Sequence, residues 1–369
     1  MRTLLRATLP PFIVAGLLIA AFAGAVRASG SDFFAFDTWI KWDSGHYEDV
    51  AERGYEFTSC AEVLGFHPAQ WCGNAGWFPG YPFLVRGVRL LTGVPTKLVM
   101  ILVSQAFAVL SLLIVWNLFL SRRDPAVLLL CAFAPGTYYF LVAFPMSMTV
   151  CFMLVTLWAQ RERHPVTALL AGAVVGFTYP SGICLAGVLA SALLVDHWRG
   201  ERQRARDWLP VAGPILGFCL VLLVHHLAVG LWNAFFLIQE KYQHGINNPI
   251  AVLRQRSAYI WVWKPGWQTG IQSLVAAALV LAGAATTAVA LWRRRDTPGD
   301  AAVATHGLTY WLFPLVLGGA VSPYRAESLL MPAVVGLRRI PPIALIPLIL
   351  AAVAIWAVMA TEFAHGWLV

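Results

Sequence analysis

Long apolar segments recur along the whole chain, and this pattern constrains the fold more than any other feature. In hydrocarbon each unpaired backbone group is costly, so segments of this kind must form helices. The sequence therefore predicts an all-α polytopic membrane protein with about eleven transmembrane helices. Several segments are shorter than the roughly 20 residues that a bilayer requires, and these must be broken, tilted or packed inside the bundle. The segments are 9–26, 94–120, 126–144, 146–160, 166–178, 182–195, 209–229, 269–292, 303–320, 326–337 and 341–359.

The charge content supports a membrane location and argues against nucleic-acid binding. Hydrophobic residues make up 59% of the chain and charged residues 12%, whereas a soluble domain carries roughly 25% charged residues. The net charge of +8 comes from short Lys and Arg clusters between apolar segments, a distribution that sets membrane orientation. We therefore predict a single membrane domain over 1–369, with the bilayer as a partner and no nucleic acid.

The basic clusters also predict the orientation. If the segments cross alternately, these clusters share one side, which the positive-inside rule makes the cytoplasm, and the N-terminus lies there too. The agreement requires a break at "TYPSG" (178–182), which splits 166–195 into two short helices. Residues 1–28 also resemble a cleavable signal peptide, an alternative that stays open. The basic residues are Arg2, Arg6, Arg122, Arg123, Arg161, Arg163, Arg199, Arg202, Arg204, Arg206, Arg293 to Arg295, Arg338 and Arg339.

Two long loops, 27–93 and 230–268, then lie on the outer side. In the first loop, Ser44 as N-cap and Gly54 as a stop signal predict a short helix over 45–53 on the membrane surface, with Asp43 just before it. The aromatic stretch "WFPGYPFLVRGVRLLTG" (77–93) predicts an interfacial or re-entrant segment. The first loop is also rich in acids, namely Asp32, Asp37, Asp43, Glu48, Asp49, Glu52, Glu56 and Glu62.

Cys60 and Cys72 lie in the first outer loop. An oxidising outer compartment would permit a disulfide between them, and the alternative is two free thiols. Their spacing does not resemble a zinc site, since no second Cys or His pair accompanies them. His225 and His226 have no carboxylate or thiol at ligand spacing, so we predict no metal site.

The loop sequences carry a resemblance. The stretches "KWDSGHYEDVAERGY" (41–55) and "WFPGYPFLVRGVRLL" (77–91) resemble the PIG-V family of mannosyltransferases, which belongs to the membrane glycosyltransferases with the GT-C fold. Weaker similarities are "APGTYYFLVAFPMSMT" (134–149), "AGAVVGFTYPSG" (171–182) and "SPYRAESLLMPAV" (322–334). The resemblance implies a GT-C-like bundle that transfers mannose from a lipid-phosphate donor on the outer side. It also implies that the acid of the "WD" pair, here Asp43, is the catalytic base.

The chemistry of such a donor can be argued from first principles. A sugar phosphate has a leaving group that is already an anion, so it needs charge stabilisation and no proton donor. One carboxylate that deprotonates the acceptor hydroxyl is then sufficient, and direct displacement inverts the anomeric centre. A glycosidase, by contrast, requires two carboxylates. This reaction requires no cofactor.

Several residues are candidates for substrate binding. Arg325, after Tyr324 in "SPYRAES", has no topological reason to be at the outer end of two helices, so it is our first candidate for the donor phosphate. Trp42, His46 and Tyr47 flank Asp43 and could contact a sugar. A structural role is the alternative: a helix-capping acid for Asp43, a headgroup contact for His46, an interfacial aromatic for Trp42 and a solvated surface residue for each cation. The rival cations in the second outer loop are Lys241, Arg254, Arg256 and Lys264.

The leading hypothesis is a membrane glycosyltransferase that moves a sugar, mannose by the resemblance, from a polyprenyl-phosphate donor to a lipid or lipid-linked glycan. The frequent Ala, Gly, Val and Arg indicate a GC-rich bacterial genome and hence the plasma membrane. The family's polar motifs are absent at "PMSMT" (145–149) and "TYPSG", which favours a second hypothesis, a catalytically inactive lipid-binding or scaffold subunit. A transporter is the third, although transporters normally show internal repeats.

Overall fold

The structure, a computed structural model, describes residues 2–61, 70–120, 124–240, 242, 245–261, 266–294, 299–317 and 323–368. This part of the chain is mostly helical. The α-helices are α1 (Arg2–Ala28), α2 (Phe36–Trp39), α3 (Ser44–Glu52), α4 (Gly80–Thr92), α5 (Thr96–Ile114), α6 (Pro125–Ala132), α7 (Met146–Arg161), α8 (Pro165–Thr178), α9 (Cys184–Trp198), α10 (Leu209–Val229), α11 (Ala234–Glu240), α12 (Pro249–Trp261), α13 (Trp267–Trp292), α14 (Asp300–Val316), α15 (Pro323–Ala326), α16 (Met331–Val334) and α17 (Pro342–His365).

Shorter elements connect these helices. A two-stranded antiparallel sheet joins β1 (Phe57–Ser59) to β2 (Trp71–Gly73), with Thr58 opposite Cys72. A π-helical turn, Val115–Phe119, extends α5. The 3₁₀ turns are Thr137–Phe140, Pro180–Ile183, Ala205–Trp208, Glu327–Leu330 and Val335–Arg339.

Six stretches of the described residues are long and apolar enough to cross a membrane, judged by length and composition. They are Leu5–Ala28, Thr96–Phe119, Pro180–Trp198, Ala205–Val229, Trp267–Trp292 and Pro342–His365. A mostly helical chain with membrane-length helices agrees with the predicted fold class. The count of about eleven crossings, the orientation and the loop boundaries stay predictions.

Two of the apolar segments are broken helices buried inside the bundle. Segment 126–144 leaves the helix after Ala132, turns at Gly136 (φ 79°) and continues as a 3₁₀ turn. Segment 326–337 alternates between 3₁₀ and α-helical turns, and both segments are almost entirely buried. Irregular backbone is tolerated at membrane depth only where protein surrounds it. These two segments therefore form the inside of the bundle, next to the candidate site described below.

The break predicted at "TYPSG" is present. Tyr179 is extended (φ −147°, ψ 139°), which ends α8, and a 3₁₀ turn leads into α9. Helices α8 and α10 run parallel, because Gly213 lies against Leu169 and Gly217 lies against Ala173. The chain must therefore return between them, and α9 makes that return.

The interface between α8 and α10 is unusually close because small residues line it. Each helix carries a Gly-x-x-x-Gly pattern, Gly172 with Gly176 and Gly213 with Gly217. A Cβ atom on Gly176 would collide with the carbonyl oxygen of Pro214. Small residues at this spacing let two membrane helices bring their backbones into contact, which replaces the hydrophobic driving force that lipid does not provide.

Contacts between distant residues define one end of the bundle, which we call the basic end. Trp116 Nε1 donates to the Arg6 carbonyl oxygen (3.0 Å), and Arg161 Nη2 donates to the Leu118 carbonyl oxygen (2.7 Å). The Arg161 side chain also packs against Gly299, and the next residue, Asp300, pairs with two further arginines. The basic residues at this end are Arg6, Arg161, Arg338 and Arg339.

The opposite end, which we call the Asp43 end, holds the short helices of the first predicted outer loop. Ser31 Oγ donates to the Ala364 carbonyl oxygen (3.1 Å), which joins the chain after α1 to the end of α17. Thr96 Oγ1 donates to Glu52 Oε1 (2.7 Å), which joins the start of α5 to the end of α3. Helix α1 separates the two ends by about 40 Å at 1.5 Å per residue.

Candidate functional site

Asp43 lies immediately before α3, but neither it nor Ser44 caps that helix. The prediction that Ser44 is the N-cap was wrong: Ser44 is the first helical residue, and its Oγ is buried without a hydrogen-bond partner. Asp43 holds the N-cap position, yet its backbone is already helical (φ −59°, ψ −18°) and its side chain makes no capping bond. A capping side chain normally requires an extended N-cap residue. The Asp43 carboxylate therefore points to another partner.

That partner is Arg325, 282 residues away, whose Nη1 donates to Asp43 Oδ2. The Arg325 side chain is 14% exposed and the Asp43 side chain 29%, so the pair lies at the rim of the protein interior. The guanidinium lies over the Phe144 ring (5.3 Å to its centroid) and near the Tyr139 ring (5.9 Å). Burial alone would lower the pKa of Arg325, but the Asp43 carboxylate reverses this effect and raises it. Arg325 is therefore a fixed positive charge.

Trp42 is held in a backbone conformation that bulky residues rarely adopt, with φ at 49°. Its ring packs edge-on against Phe363 of α17, with the centroids 5.3 Å apart. A non-glycine residue in this region costs about 1–3 kcal/mol and persists only where its surroundings enforce it. The strained residue directly precedes Asp43, so it sets the direction in which the chain enters α3.

His46 and Tyr47 occupy different environments although they are adjacent. The His46 ring stacks on Trp77 at 3.6 Å between centroids, and Tyr55 Oη donates to the Trp77 carbonyl oxygen (2.8 Å). Tyr47 is 3% exposed and packs edge-on against Tyr81 (5.7 Å between centroids). Burial raises the pKa of Tyr47 well above its usual value, so its hydroxyl stays protonated.

A buried carboxylate, Glu327, lies two residues after Arg325 and was not among our predicted site residues. Its side chain accepts hydrogen bonds from Gln272 Nε2 (2.6 Å) and Ser273 Oγ (2.6 Å), both on α13. Arg256 Nη1 donates to the same Ser273 hydroxyl (3.2 Å). Arg256, a predicted rival for the donor phosphate, is thus buried in this cluster. The one sequence signal for Glu327 was that it is an acid inside the apolar segment 326–337, a placement that often indicates function.

The other predicted residues are distributed around this region. Tyr324 is buried, and its carbonyl oxygen accepts from Gln272. Arg254 is exposed on α12. Lys241 and Lys264 lie outside the described residues.

The first loop carries an internal crosslink. Cys60 and Cys72 form a disulfide, with their Cα atoms 4.9 Å apart, beside the β1–β2 pair. Among the residues that the structure describes, no group of three or more His, Cys, Asp or Glu side chains is arranged to hold a metal ion.

The five stretches that carry the family resemblance meet at this site. Asp43 comes from 41–55, Phe144 from 134–149 and Arg325 from 322–334. Gly80, from 77–91, packs against Thr178 of the "TYPSG" stretch. These segments are far apart in sequence, so the fold alone brings them together.

The basic end contains a cavity of about 420 Å³, which is a weaker candidate site. Its charged lining is already paired: Arg161 with Glu162 (2.9 Å) and Arg163 with Glu201 (2.8 Å). Basic residues at this end are also expected from membrane orientation. The Asp43–Arg325 pair has no such explanation and is the better candidate.

The chain resembles solved structures of an archaeal oligosaccharyltransferase from Archaeoglobus fulgidus. The crystal structure with zinc and sulfate gives a TM-score of 0.52 at 12% identity, and covers 94% of this chain and 53% of the oligosaccharyltransferase. The structure of AglB from this organism with an inhibitory peptide and a dolichol-phosphate gives 0.50 at 13% identity, and covers 95% and 56%. This chain thus spans about half the length of these structures. The likeness shows a GT-C-like fold.

No protein-family model and no curated protein matches the sequence. The narrower resemblance to PIG-V-like mannosyltransferases therefore stays a prediction.

Proposed function

We propose that this protein is a membrane glycosyltransferase that moves a sugar, mannose by the sequence resemblance, from a polyprenyl-phosphate donor to a lipid or lipid-linked glycan acceptor. The observation that carries the proposal is the Asp43–Arg325 pair, formed where the five family-like stretches meet. A carboxylate that could act as a base is thereby placed beside a cation that could bind a phosphate. The fold supports the same class, because the structural neighbour is an oligosaccharyltransferase.

In the proposed reaction Arg325 binds the donor phosphate. The acceptor oxygen forms a bond to the anomeric carbon while the bond from that carbon to the phosphate oxygen breaks, and the lipid phosphate leaves with the electron pair. Asp43 takes the proton of the acceptor hydroxyl, a contribution of roughly 10²- to 10⁴-fold in rate. The displacement inverts the anomeric centre. No step needs a second carboxylate, because the leaving group is already an anion.

The surroundings of the Asp43–Arg325 pair support this division of roles. Arg325 is a largely buried, permanently charged donor, and a guanidinium matches the geometry of a phosphate. A donor phosphate competes with Asp43 for this guanidinium, so donor binding releases the carboxylate toward the acceptor hydroxyl. The aromatic rings of Tyr139 and Phe144 keep the guanidinium partly desolvated, which strengthens its attraction for an anion.

The donor class has two further supports. The structure of AglB holds a dolichol-phosphate, which is a lipid phosphate of the proposed kind. The partly exposed His46 ring, which stacks on the buried Trp77, lies one helical turn from Asp43 and offers a flat surface on which a sugar can pack. Following the predicted orientation, we propose that this site lies at the outer, extracytoplasmic face of a bacterial plasma membrane.

The test uses purified protein in detergent with radiolabelled polyprenyl-phosphate mannose and a total lipid extract. Wild type should transfer label to a new glycolipid. Asp43→Asn should lower turnover by roughly 10²- to 10⁴-fold while donor binding persists. Asp49→Asn is the matched control, because Asp49 lies on the same helix and pairs with Arg53 at the surface. It should keep wild-type turnover.

Each other outcome has a definite meaning. Wild-type turnover by Asp43→Asn would exclude Asp43 as the base. If the wild type binds the donor but transfers label to no acceptor, the inactive lipid-binding subunit is favoured. The altered "PMSMT" and "TYPSG" stretches favour the same hypothesis. If the wild type does not bind the donor, the proposed substrate class is wrong. Arg325→Gln should weaken donor binding, whereas Arg254→Gln, at an exposed position of α12, should not.

A further inference from the structure

Glu327 is the most deeply buried acid near the candidate site, at 4% exposure. An isolated carboxylate in the protein interior is strongly unfavourable, and it persists only when donors and a counter-charge compensate it. Here Gln272 and Ser273 supply the donors, and Arg256 supplies the nearby positive charge. Apolar residues would fill the same space at lower cost. An acid kept at such a position inside a membrane bundle indicates a function by default.

The hydrogen bonds of this cluster hold the backbone on both sides of Arg325. Gln272 Nε2, which donates to Glu327, also donates to the Tyr324 carbonyl oxygen (3.0 Å). Ser328 Oγ donates to the carbonyl oxygen of Arg325 itself (2.7 Å). The segment 324–328 is thereby attached to α13 at Tyr324 and at Glu327, and the Ser328 hydrogen bond closes the turn between these two points. A long arginine side chain can present its guanidinium at one place only if its backbone is fixed.

The segment is also held from its other side. Gly136 packs so closely against it that an added Cβ would lie 2.7 Å from Ser328 N and from the Tyr324 carbonyl oxygen. Arg256 adds a third connection, because it reaches the cluster from α12, in the second predicted outer loop. The position of Arg325 therefore depends on α12, α13 and the turn at Gly136 together.

We propose that Glu327 is a positioning residue: with Gln272, Ser273 and Arg256 it forms a buried polar support that holds Arg325 against Asp43 and aims it at the donor phosphate. Its role in donor binding rests on the proposed function. The support itself does not, because it concerns the backbone of 324–328 in the protein without substrate.

The experiment compares wild type with Glu327→Gln, which keeps the side-chain volume and removes the charge. Hydrogen exchange followed by mass spectrometry measures the exchange rates of the backbone amides of 324–330. Binding of radiolabelled polyprenyl-phosphate mannose measures the donor Kd. Glu327→Gln should raise exchange in this segment about tenfold and raise the donor Kd about tenfold, with a smaller change in kcat at saturating donor. Ser273→Ala removes the two hydrogen bonds of the Ser273 hydroxyl, to Glu327 and from Arg256, and it replaces Glu327→Gln in the experiment if that variant does not fold.

Asp300→Asn is the matched control. Asp300 is also a buried acid, at 1% exposure, but it pairs with Arg338 and Arg339 at the basic end. Its replacement should lower the melting temperature without changing exchange in 324–330 or donor affinity. If Glu327→Gln behaves as this control does, Glu327 is merely structural and the proposal is wrong. Raised exchange with an unchanged donor Kd would also overturn it.

A donor-free readout separates this proposal from the proposed function. We expect Glu327 to hold Arg325 against Asp43. The double variant Glu327→Gln with Asp43→Asn should then show a smaller decrease in melting temperature than the sum of the decreases in the two single variants. Additive losses would overturn the support even if the enzyme is active. A protein that binds no donor but shows raised exchange and non-additive losses would refute only the proposed function.

Discussion

Replacing Asp43 by Asn and Arg325 by Gln, singly and together, measures how strongly the two side chains are coupled in the folded protein. Two unit charges about 4 Å apart interact by roughly 4 kcal/mol at an effective dielectric constant of 20, and by about 1 kcal/mol in bulk water. The side-chain exposures of 29% and 14% place this pair between those limits. We therefore expect a coupling free energy of about 1–3 kcal/mol.

The single variants should differ in a way that the environment explains. Arg325→Gln leaves a carboxylate at the protein rim without its counter-charge, and Asp43→Asn leaves a more deeply buried guanidinium without its counter-charge. Asp43→Asn should therefore destabilise the fold at least as much as Arg325→Gln. The double variant should be less destabilised than the sum of the two, because it leaves neither charge alone.

The assay is reversible denaturant unfolding in detergent micelles, followed by tryptophan fluorescence. The surface pair of Arg53 and Asp49, with side chains 59% and 38% exposed, provides a control cycle with an expected coupling of about 0.3–0.5 kcal/mol. Effects of Asp43→Asn and Arg325→Gln that add within about 0.5 kcal/mol would refute the ion pair as a structural element of the site.

Two further predictions test the surroundings of the site. Gly136→Ala, at φ 79° and with a Cβ 2.7 Å from neighbouring backbone atoms, should destabilise the fold by about 2–4 kcal/mol. Gly187→Ala, in an open helical position, should be neutral or stabilising in the same denaturant unfolding assay, and equal losses of stability in the two variants would contradict this expectation. Removing the disulfide by Cys60→Ser with Cys72→Ser, a separation of 12 residues, should cost about 3 kcal/mol. Cys219→Ser, at an exposed free thiol, is its control, and a similar melting temperature for both would refute the expected effect.

Local signals in the sequence predicted much of the fold. Apolar runs predicted the membrane-length helices, the Pro and Gly of "TYPSG" predicted the break after α8, and the first-loop stop signal predicted a helix close to the observed Ser44–Glu52. These features are local, because helix formation depends on residues within a few turns of one another. The error at Ser44 was also local, since capping depends on the backbone angles of a single residue.

The sequence allowed candidate residues of the site to be chosen by their chemistry. It did not allow their spatial arrangement to be predicted. Asp43 and Arg325 were selected from a family-like loop and from an arginine without a topological role. The strain at Trp42 and the cluster around Glu327 were missed, because both arise from contacts with α17 and α13 that no local pattern encodes.

The amino-acid sequence by itself determined that this chain forms apolar helices joined by charged loops, because hydropathy and backbone hydrogen bonding leave a membrane segment no other choice. Only the tertiary structure decided which loop residues meet. The Asp43–Arg325 pair spans 282 residues, and its formation depends on how the broken segments around Gly136 and Glu327 pack inside the bundle. Packing of that kind is decided by the shapes of many helices at once, so it is visible only in the folded protein.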